Sequence, residues 1–249
     1  MLGLIRRYLE AGVMVNGVAV ERHEGTPQGG PLSPLLANVL LDEVDKQLEK
    51  RGLCFVRYAD DCNVYVKSWR AGHRVLQTLR GLYARLRLRI NEEKSAVDRP
   101  WNRKFLGYSF WVAPGRKVKR RVAPKALEAM KQRVREITAR SGGRSMAAVT
   151  KELKEYLTGW KQYFRRAETP GIFEDLDSWV RHRLRQVQLR QWKRGTTVYR
   201  ELRRRGASEE IARKVAANSR RWWKNSGMAL TVVLPTRYYD DLGVPRLAS

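Results

Sequence analysis

Two adjacent aspartates between short apolar runs are the feature that most constrains this chain. Cys54–Tyr58 and Cys62–Val66 are rich in β-prone residues, and Ala59, Asp60 and Asp61 join them. The pattern predicts an antiparallel hairpin with two carboxylates at its turn. Two adjacent carboxylates repel each other, and a bound divalent cation relieves that repulsion, so such a pair is typical of a divalent cation site. A solvated acidic turn has the same sequence pattern. Two metal ions held by carboxylates can catalyse phosphoryl transfer. Mg²⁺ is the ion that oxygen ligands and phosphate favour.

A Gly/Pro-rich loop precedes the hairpin. Gly25–Pro31 reads Gly-Thr-Pro-Gln-Gly-Gly-Pro and leads into a segment in which Leu36, Leu40, Val44 and Leu48 recur at helical spacing. Glycines let a backbone approach a ligand closely, and a helix start offers free N–H groups to phosphate. Taken alone, the loop is also typical of a plain strand-to-helix connection. It lacks the Gly-Lys-Ser/Thr ending of a phosphate-binding loop.

The charge balance indicates a polyanionic partner. The 249 residues contain 51 Lys and Arg against 25 Asp and Glu, a net charge of +26. For a protein inside a cell, the default polyanion is RNA or DNA. No run of 18 apolar residues predicts a membrane span, and the N-terminal segment does not have the pattern of a signal peptide. We therefore expect a cytoplasmic protein, bacterial or in an organellar matrix, with no membrane partner.

The chain from about residue 123 onward is predicted to be almost entirely helical and carries much of the basic charge. Trp160, Phe164 and Trp179 recur at helical spacing, which predicts core positions. The last 20 residues are predicted to form a strand and a loop. Cationic side chains bind phosphate and flat ones stack on unpaired bases. On that basis the predicted RNA-binding residues are Lys161, Tyr163, Arg165, Arg181, Arg183, Arg185 and Arg190.

Several motifs occur in one order. GTPQGGPLSPLLANVLL at 25–41 followed by FVRYADD at 55–61 resembles the palm of group II intron reverse transcriptases. NEEKS at 91–95 and FLGY at 105–108 resemble later palm motifs of that family. LTGWKQYF at 157–164 and FEDLDSWVRHRL at 173–184 resemble the maturase domain that follows the polymerase. The resemblance covers about residues 1 to 225.

The resemblance implies an α+β fold with four parts. These are a partial reverse transcriptase palm (1–112), a connection with the first thumb helix (113–143), a group II intron maturase-specific helical domain (144–225) and a C-terminal tail (226–249). It implies an RNA-directed DNA polymerase that uses Mg²⁺, dNTPs, a primer and a DNA target, and that binds group II intron RNA to promote splicing. Two alternatives remain open: a non-catalytic RNA-binding maturase remnant, and a reverse transcriptase of another retroelement such as a retron.

The resemblance also implies a role for each matching residue. Asp60 would be a metal ligand, with Asp61 beside it as a second acid, and Lys94 would lie near the departing pyrophosphate. The residues implied to contact template, primer or nucleotide are Gln28, Gly29, Gly30, Pro31, Tyr58, Ala59, Phe105, Leu106 and Gly107.

The chain departs from the family's pattern at one point. The family places its fingers and its first catalytic aspartate before the Gly/Pro-rich loop, where this chain has 24 residues and no aspartate. Asp42, Asp45 and Asp98 are poor substitutes, because metal geometry needs ligands that converge from separate strands. We therefore expect this chain alone to be inactive in DNA synthesis. The missing part would reflect a truncated gene, a curtailed gene model or a separate N-terminal polypeptide, and a homodimer is a further open possibility.

Overall fold

A computed structural model of the chain describes residues 2–10, 12–15, 18–20, 30–139 and 143–248. Helices predominate and the strands are antiparallel, which confirms the predicted mixture of helix and strand. The chain divides into two compact units, Met1–Arg99 and Pro100–Ser249. Among the described residues, no helix is long and apolar enough to cross a membrane.

Within its described residues, the first unit contains two antiparallel strand pairs and three helices. In chain order its elements are α1 (Leu2–Glu10), β1 (Val13–Val15), β2 (Val18–Val20), α2 (Ser33–Lys50), β3 (Cys54–Tyr58), β4 (Asp61–Tyr65) and α3 (Trp69–Arg85). Strand β1 pairs with β2, and β3 pairs with β4. The side chain of Ser68 caps α3 by accepting a hydrogen bond from the Ala71 N–H at 3.2 Å, as expected for a serine N-cap.

The β3–β4 hairpin contributes one face to the core of the first unit. Phe55 lies opposite Val64 in the register, so both side chains lie on the same face of the hairpin. They pack against the buried residues Leu41, Leu48 and Leu82 of α2 and α3. The opposite face is open to solvent. The core therefore fixes the hairpin by one face and leaves its turn and its second face accessible.

The second unit begins with a three-stranded antiparallel sheet. Its strands are β5 (Lys104–Phe105), β6 (Tyr108–Ala113) and β7 (Lys117–Val122), with β6 in the centre. Leu106 and Gly107 form the tight turn between β5 and β6, with φ values of +50° and +76°. Two consecutive residues with positive φ are typical of two-residue hairpin loops, because this geometry matches the twist of the strands.

Seven helices follow the sheet within the described part of the second unit. They are α4 (Pro124–Ile137), α5 (Met146–Phe164), α6 (Pro170–Trp192), α7 (Gly195–Arg204), α8 (Glu209–Ala217), α9 (Trp222–Val233) and α10 (Thr236–Asp241). Proline occupies the first turn of α4 and α6, where its missing N–H has no helical partner to lose. Serine side chains cap α5 and α8.

The helices of the second unit enclose a large apolar core. Trp160 lies in it, with its ring centroid 4.7 Å from that of Phe164 and 5.9 Å from that of Phe173. This confirms the predicted core positions of Trp160 and Phe164. Trp179 is only partly buried against the core, and the guanidinium of Arg135 lies 5.7 Å from its ring centroid.

The strand predicted within the last 20 residues is wrong, whereas the predicted loop is present at residues 242–248. Residues 222–233 and 236–241 form α9 and α10 instead. Thr231, Val232 and Val233 have high β propensity, but Leu230, Val233 and Leu234 recur at helical spacing and are buried. Packing of this apolar stripe on the core outweighs local propensity, as it commonly does.

Candidate active site and nucleic-acid interface

The predicted acidic hairpin is present, with both aspartates at its turn. The last pair in the register joins Tyr58 to Asp61, so Ala59 and Asp60 form a two-residue turn. Ala59 has a φ of +52°, an uncommon conformation for a residue with a side chain. Asp60 and Asp61 are both exposed, and Tyr58 is 63% exposed. The turn therefore presents two carboxylates and an aromatic ring to solvent.

Arg57 ties this turn to helix α2. Its Nε donates to both carboxylate oxygens of Asp45, at 2.9 and 3.0 Å. Its Nη1 donates to Asn38 Oδ1 at 2.8 Å and to the Ala59 carbonyl at 3.0 Å. The hydrogen bond with Asp45 raises the pKa of Arg57, although burial opposes it. These Arg57 hydrogen bonds were not predicted from the sequence. The signal for them in the sequence is an arginine at a position of β3 that alternation places on the inward face.

The acids considered as substitute metal ligands are engaged elsewhere. Asp45 is held by Arg57, and Asp42 forms an ion pair with Lys46 at 2.7 Å. In the described part of the chain, no group of three or more His, Cys, Asp or Glu side chains could hold a metal ion. Asp60 and Asp61 have the oxygen donors that Mg²⁺ prefers. They fit two positions of a carboxylate metal site but do not complete one.

Only part of the predicted Gly/Pro-rich loop falls within the described residues, since Gln28 and Gly29 lie outside them. Gly30 and Pro31 directly precede α2, and the Gly30 carbonyl accepts a hydrogen bond from the Ser33 N–H at 3.2 Å. A Cβ atom at Gly30 would lie 1.9 Å from the hydroxyl oxygen of Tyr8 on α1. Glycine at this position therefore leaves room for the tyrosine.

Lys94 lies in an exposed turn after α3. Its N–H donates to the carbonyl and side-chain oxygens of Asn91, at 3.2 and 3.1 Å. Glu92 of the same turn accepts two hydrogen bonds from Arg80 of α3, at 3.0 and 2.6 Å. This ion pair anchors the turn to the helix. The catalytic role of Lys94 stays a prediction.

The turn between β5 and β6 is held by the end of α5. Tyr108 donates its hydroxyl proton to the Tyr163 carbonyl at 2.6 Å, and the Tyr163 hydroxyl donates to the Leu106 carbonyl at 3.0 Å. A Cβ at Gly107 would lie 3.1 Å from Phe164. Two predicted binding residues, Leu106 and Tyr163, therefore contact each other, and Tyr163 keeps 55% of its surface exposed.

The predicted RNA-binding role of Arg181 is wrong. This side chain is 1% exposed, so it cannot reach a phosphate in solution. Its guanidinium donates to the carboxylates of Asp177 and Asp240, at 3.0 and 2.9 Å. It also donates to the carbonyls of Val244 and Pro245, at 3.2 and 3.0 Å. Arg181 therefore binds the C-terminal segment to α6.

Arg185 is a second correction. It is 6% exposed and donates to the Leu234 carbonyl at 2.9 Å, and burial lowers its pKa. Arg183 and Arg190 are partly buried and both brace the end of α4: Arg183 donates to Thr138 Oγ1 at 2.7 Å and Arg190 donates to the Thr138 carbonyl at 2.9 Å. The RNA-binding roles of these two arginines stay predictions.

Lys161 and Arg165 are the other predicted cations, and both lie at the C-terminal end of α5. Lys161 donates to the Arg246 carbonyl at 2.8 Å, and Arg165 is exposed. Their RNA-binding roles also stay predictions.

Two family models match the chain in the order that the motifs predict. Residues 2–110 match the reverse transcriptase (RNA-dependent DNA polymerase) family, and residues 127–206 match the group II intron maturase-specific domain. The two matches, in this order, show a protein of the group II intron reverse transcriptase/maturase type. The predicted family is thereby confirmed, and the maturase-specific match favours it over the retron alternative.

Curated relatives align with this chain over limited regions. The group II intron-encoded protein LtrA of Lactococcus lactis subsp. cremoris is 52% identical over 18% of this chain and 8% of its own length. Protein YkfC of Escherichia coli K12 is 29% identical over 38% of this chain and 34% of its own. The retron Ec86 reverse transcriptase of Escherichia coli is 32% identical over 30% and 24%. The chain thus spans about a third or less of these relatives.

Proposed function

We propose that this chain supplies the catalytic acidic turn of an RNA-directed DNA polymerase and, in its helical part, a binding surface for group II intron RNA. The observation that carries the proposal is the exposed Asp60–Asp61 turn, which lies inside the region that matches reverse transcriptases. The proposed parts are a palm at 1–112, a connection and thumb helix at 113–143, a maturase domain at 144–225 and a tail at 226–249. The protein would act in the cytoplasm or an organellar matrix, where intron RNA is found.

In this proposal Asp60 and Asp61 hold Mg²⁺ together with a carboxylate from outside the described residues. When bound, such ions activate a primer 3′-hydroxyl and stabilise the leaving oxygen. Arg57 holds the Ala59 carbonyl and so keeps the turn in the conformation that presents both acids. Tyr58 lies next to the turn with its ring exposed, where it supports the primer end or the incoming dNTP. Lys94 lies near the departing pyrophosphate, as a cation or a proton donor.

The other motifs have supporting roles in the same reaction. Gln28, Gly29, Gly30 and Pro31 face the template and the nascent pair, and the turn at Leu106 and Gly107 supports the primer strand together with Phe105. The hydrogen bond between Tyr163 and Leu106 supports this role, because it connects the turn to α5, which lies within the match to the maturase-specific domain.

Primer extension on an RNA template tests the polymerase part. We expect no synthesis by the purified chain alone and Mg²⁺-dependent synthesis once a polypeptide with the upstream reverse transcriptase region of a relative is added. Asp60→Asn keeps the shape and removes the charge, and it should lower the restored rate by roughly 10³-fold or more, since each 1.36 kcal/mol of lost stabilisation is tenfold. Asp42→Asn is the matched control, because it removes one exposed carboxylate on α2 that pairs only with Lys46 among the described residues.

The outcomes separate this proposal from a non-catalytic maturase remnant. A polymerase site is supported if Asp60→Asn abolishes synthesis and Asp42→Asn does not. A remnant is indicated if the complemented chain binds intron RNA tightly yet never extends a primer. Equal synthesis by Asp60→Asn and the unmodified chain contradicts the assignment of the acidic turn.

A further inference from the structure

The carboxylate of Asp45 lies on the core-facing side of α2. Leu41 is four residues before it and Leu48 is three residues after it, which places all three on one side of the helix. Both leucines are buried, and the Asp45 side chain is only 20% exposed. A carboxylate at such a position loses much of its hydration and is stable there only with a partner. That partner is Arg57 of β3, whose side chain is 12% exposed.

Arg57 uses different atoms for α2 and for the acidic turn. Its Nε and Nη2 donate to Asp45, and its Nη1 donates both to Asn38 of α2 and to the Ala59 carbonyl. Asn38 is seven residues before Asp45, about two helical turns along the same side of α2. The guanidinium is planar and its N–H groups have fixed directions, so the two α2 side chains set where Nη1 points. The position of the Ala59 carbonyl therefore depends on Asp45 through Arg57.

The turn between β3 and β4 has a conformation that its sequence does not favour. Its first residue, Ala59, has a φ of +52°, and a two-residue hairpin turn with positive φ at its first position usually has glycine there. A Cβ atom makes the left-handed conformation unfavourable. The hydrogen bond from Arg57 to the Ala59 carbonyl offsets that cost. Without this hydrogen bond the turn would populate other conformations, in which the Asp60 carboxylate points elsewhere.

We propose that Asp45 is a positioning residue of the polymerase site, which acts through Arg57 to keep the acidic turn in the conformation that presents Asp60 and Asp61. The inference rests on the proposed function, because that function assigns these two acids to a metal site. Asp45 itself is not a ligand. It raises the fraction of molecules whose turn is ready to bind the ion, and the apparent affinity for the ion scales with that fraction. More Mg²⁺ therefore compensates for the loss of Asp45 but not for the loss of Asp60.

Amide hydrogen exchange of the chain alone, measured by mass spectrometry, tests the hold on the turn without any catalysis. Asp45→Asn keeps the shape of the side chain and removes its charge. Peptides that cover β3, the turn and β4 should exchange about 10-fold faster, the difference between a charged and a neutral acceptor, and peptides from the second unit should not change. Asp45→Glu should restore most of the protection, because its carboxylate can still pair with Arg57. The matched control Asp42→Asn removes an exposed carboxylate about one turn earlier on α2 and should leave exchange of the hairpin within twofold.

Primer extension by the complemented chain over a range of Mg²⁺ concentrations tests the consequence for the site. Asp45→Asn should raise the Mg²⁺ concentration for half-maximal synthesis about 10-fold and should return to nearly the unmodified rate at saturating Mg²⁺. The KM for primer and template should stay within twofold. Asp60→Asn should not recover at any Mg²⁺ concentration. Arg57→Lys keeps the charge but cannot reach both Asp45 and the Ala59 carbonyl, so it should behave like Asp45→Asn and takes its place if that variant does not fold.

The two measurements separate the possible outcomes. Unchanged exchange of the hairpin in Asp45→Asn, or a loss of rate that saturating Mg²⁺ does not recover, would overturn the proposal. Faster exchange throughout the first unit would also overturn it, because Asp45 would then have only a general role in stability. If the unmodified complemented chain makes no DNA at any Mg²⁺ concentration, the polymerase assignment fails, and hydrogen exchange still decides whether Asp45 holds the turn.

Discussion

Arg181 is the residue whose replacement tests the structure of the second unit most sharply. Its side chain is 1% exposed and forms ion pairs with Asp177 and Asp240, whose side chains are 13% and 23% exposed. Asp177 also accepts hydrogen bonds from the N–H groups of Leu247 and Ala248, at 2.9 and 3.0 Å. One guanidinium therefore connects α6, α10 and the C-terminal segment. Arg181→Ala removes that connection and leaves two carboxylates near the core.

The structure sets the size of the effect. Removal of one partner from a buried ion pair destabilises a protein by about 3–5 kcal/mol, because the other charge stays buried. Here Asp177 retains two backbone donors, and Asp240 retains Arg246 at 2.6 Å. We therefore expect the lower end, about 3 kcal/mol. In a unit of this size that corresponds to a fall in melting temperature of roughly 6–12 °C.

Urea unfolding followed by circular dichroism measures this loss. The matched control is Arg200→Ala, which removes the same charge from an exposed position on α7 and should change the unfolding free energy by less than about 0.5 kcal/mol. Below their melting temperatures, the RNA affinity of both variants should depend on salt concentration nearly as it does in the unmodified chain. An Arg181→Ala variant that unfolds like the control but shows a flatter salt dependence would refute the buried position of Arg181.

Three more predictions concern single residues. Trp160→Ala should destabilise the second unit by about 3–5 kcal/mol in the same assay, because it empties a core position, and loss of RNA binding without loss of stability would contradict this. Gly107→Ala should lower the melting temperature, because φ is +76° and the new Cβ would lie 3.1 Å from Phe164. Burial favours a higher pKa for Asp240, but the hydrogen bonds and charges of Arg246 and Arg181 together outweigh it and hold the pKa below its ordinary value. Its contribution to stability is therefore complete at neutral pH and is lost as pH falls through the lowered pKa, and Asp240→Asn should flatten that acid dependence in urea titrations.

The acidic hairpin and the main helices were predictable because local patterns determine them. Alternating apolar positions on either side of Asp60 and Asp61 specify two strands, and the four-residue spacing of Leu36 to Leu48 specifies a helix. These patterns place one face of each element in the core. The order of the motifs then identified the family, which two family models confirm.

The roles of individual arginines were not predictable in this way. Arg181 and Arg183 occupy the same helix two residues apart, yet Arg181 is buried by residues about 60 positions away. Sequence spacing does not reveal such distant partners. Similarly, Arg57 looked like an ordinary cation, although its partners Asn38 and Asp45 lie on α2. Charged residues with long-range partners therefore need the folded structure before a binding role is assigned.

Metal binding at Asp60 can be measured directly in the full chain by iron-mediated cleavage. Fe²⁺ replaces Mg²⁺ at oxygen-rich sites, and with ascorbate and peroxide it cuts the backbone beside the bound ion. With primer, RNA template and the complementing upstream polypeptide present, we expect cleavage between Tyr58 and Cys62 that excess Mg²⁺ suppresses. It should persist in Asp42→Asn and vanish in Asp60→Asn. Cleavage that survives Asp60→Asn, or occurs only away from this turn, would contradict the assignment of the acidic turn as the metal site.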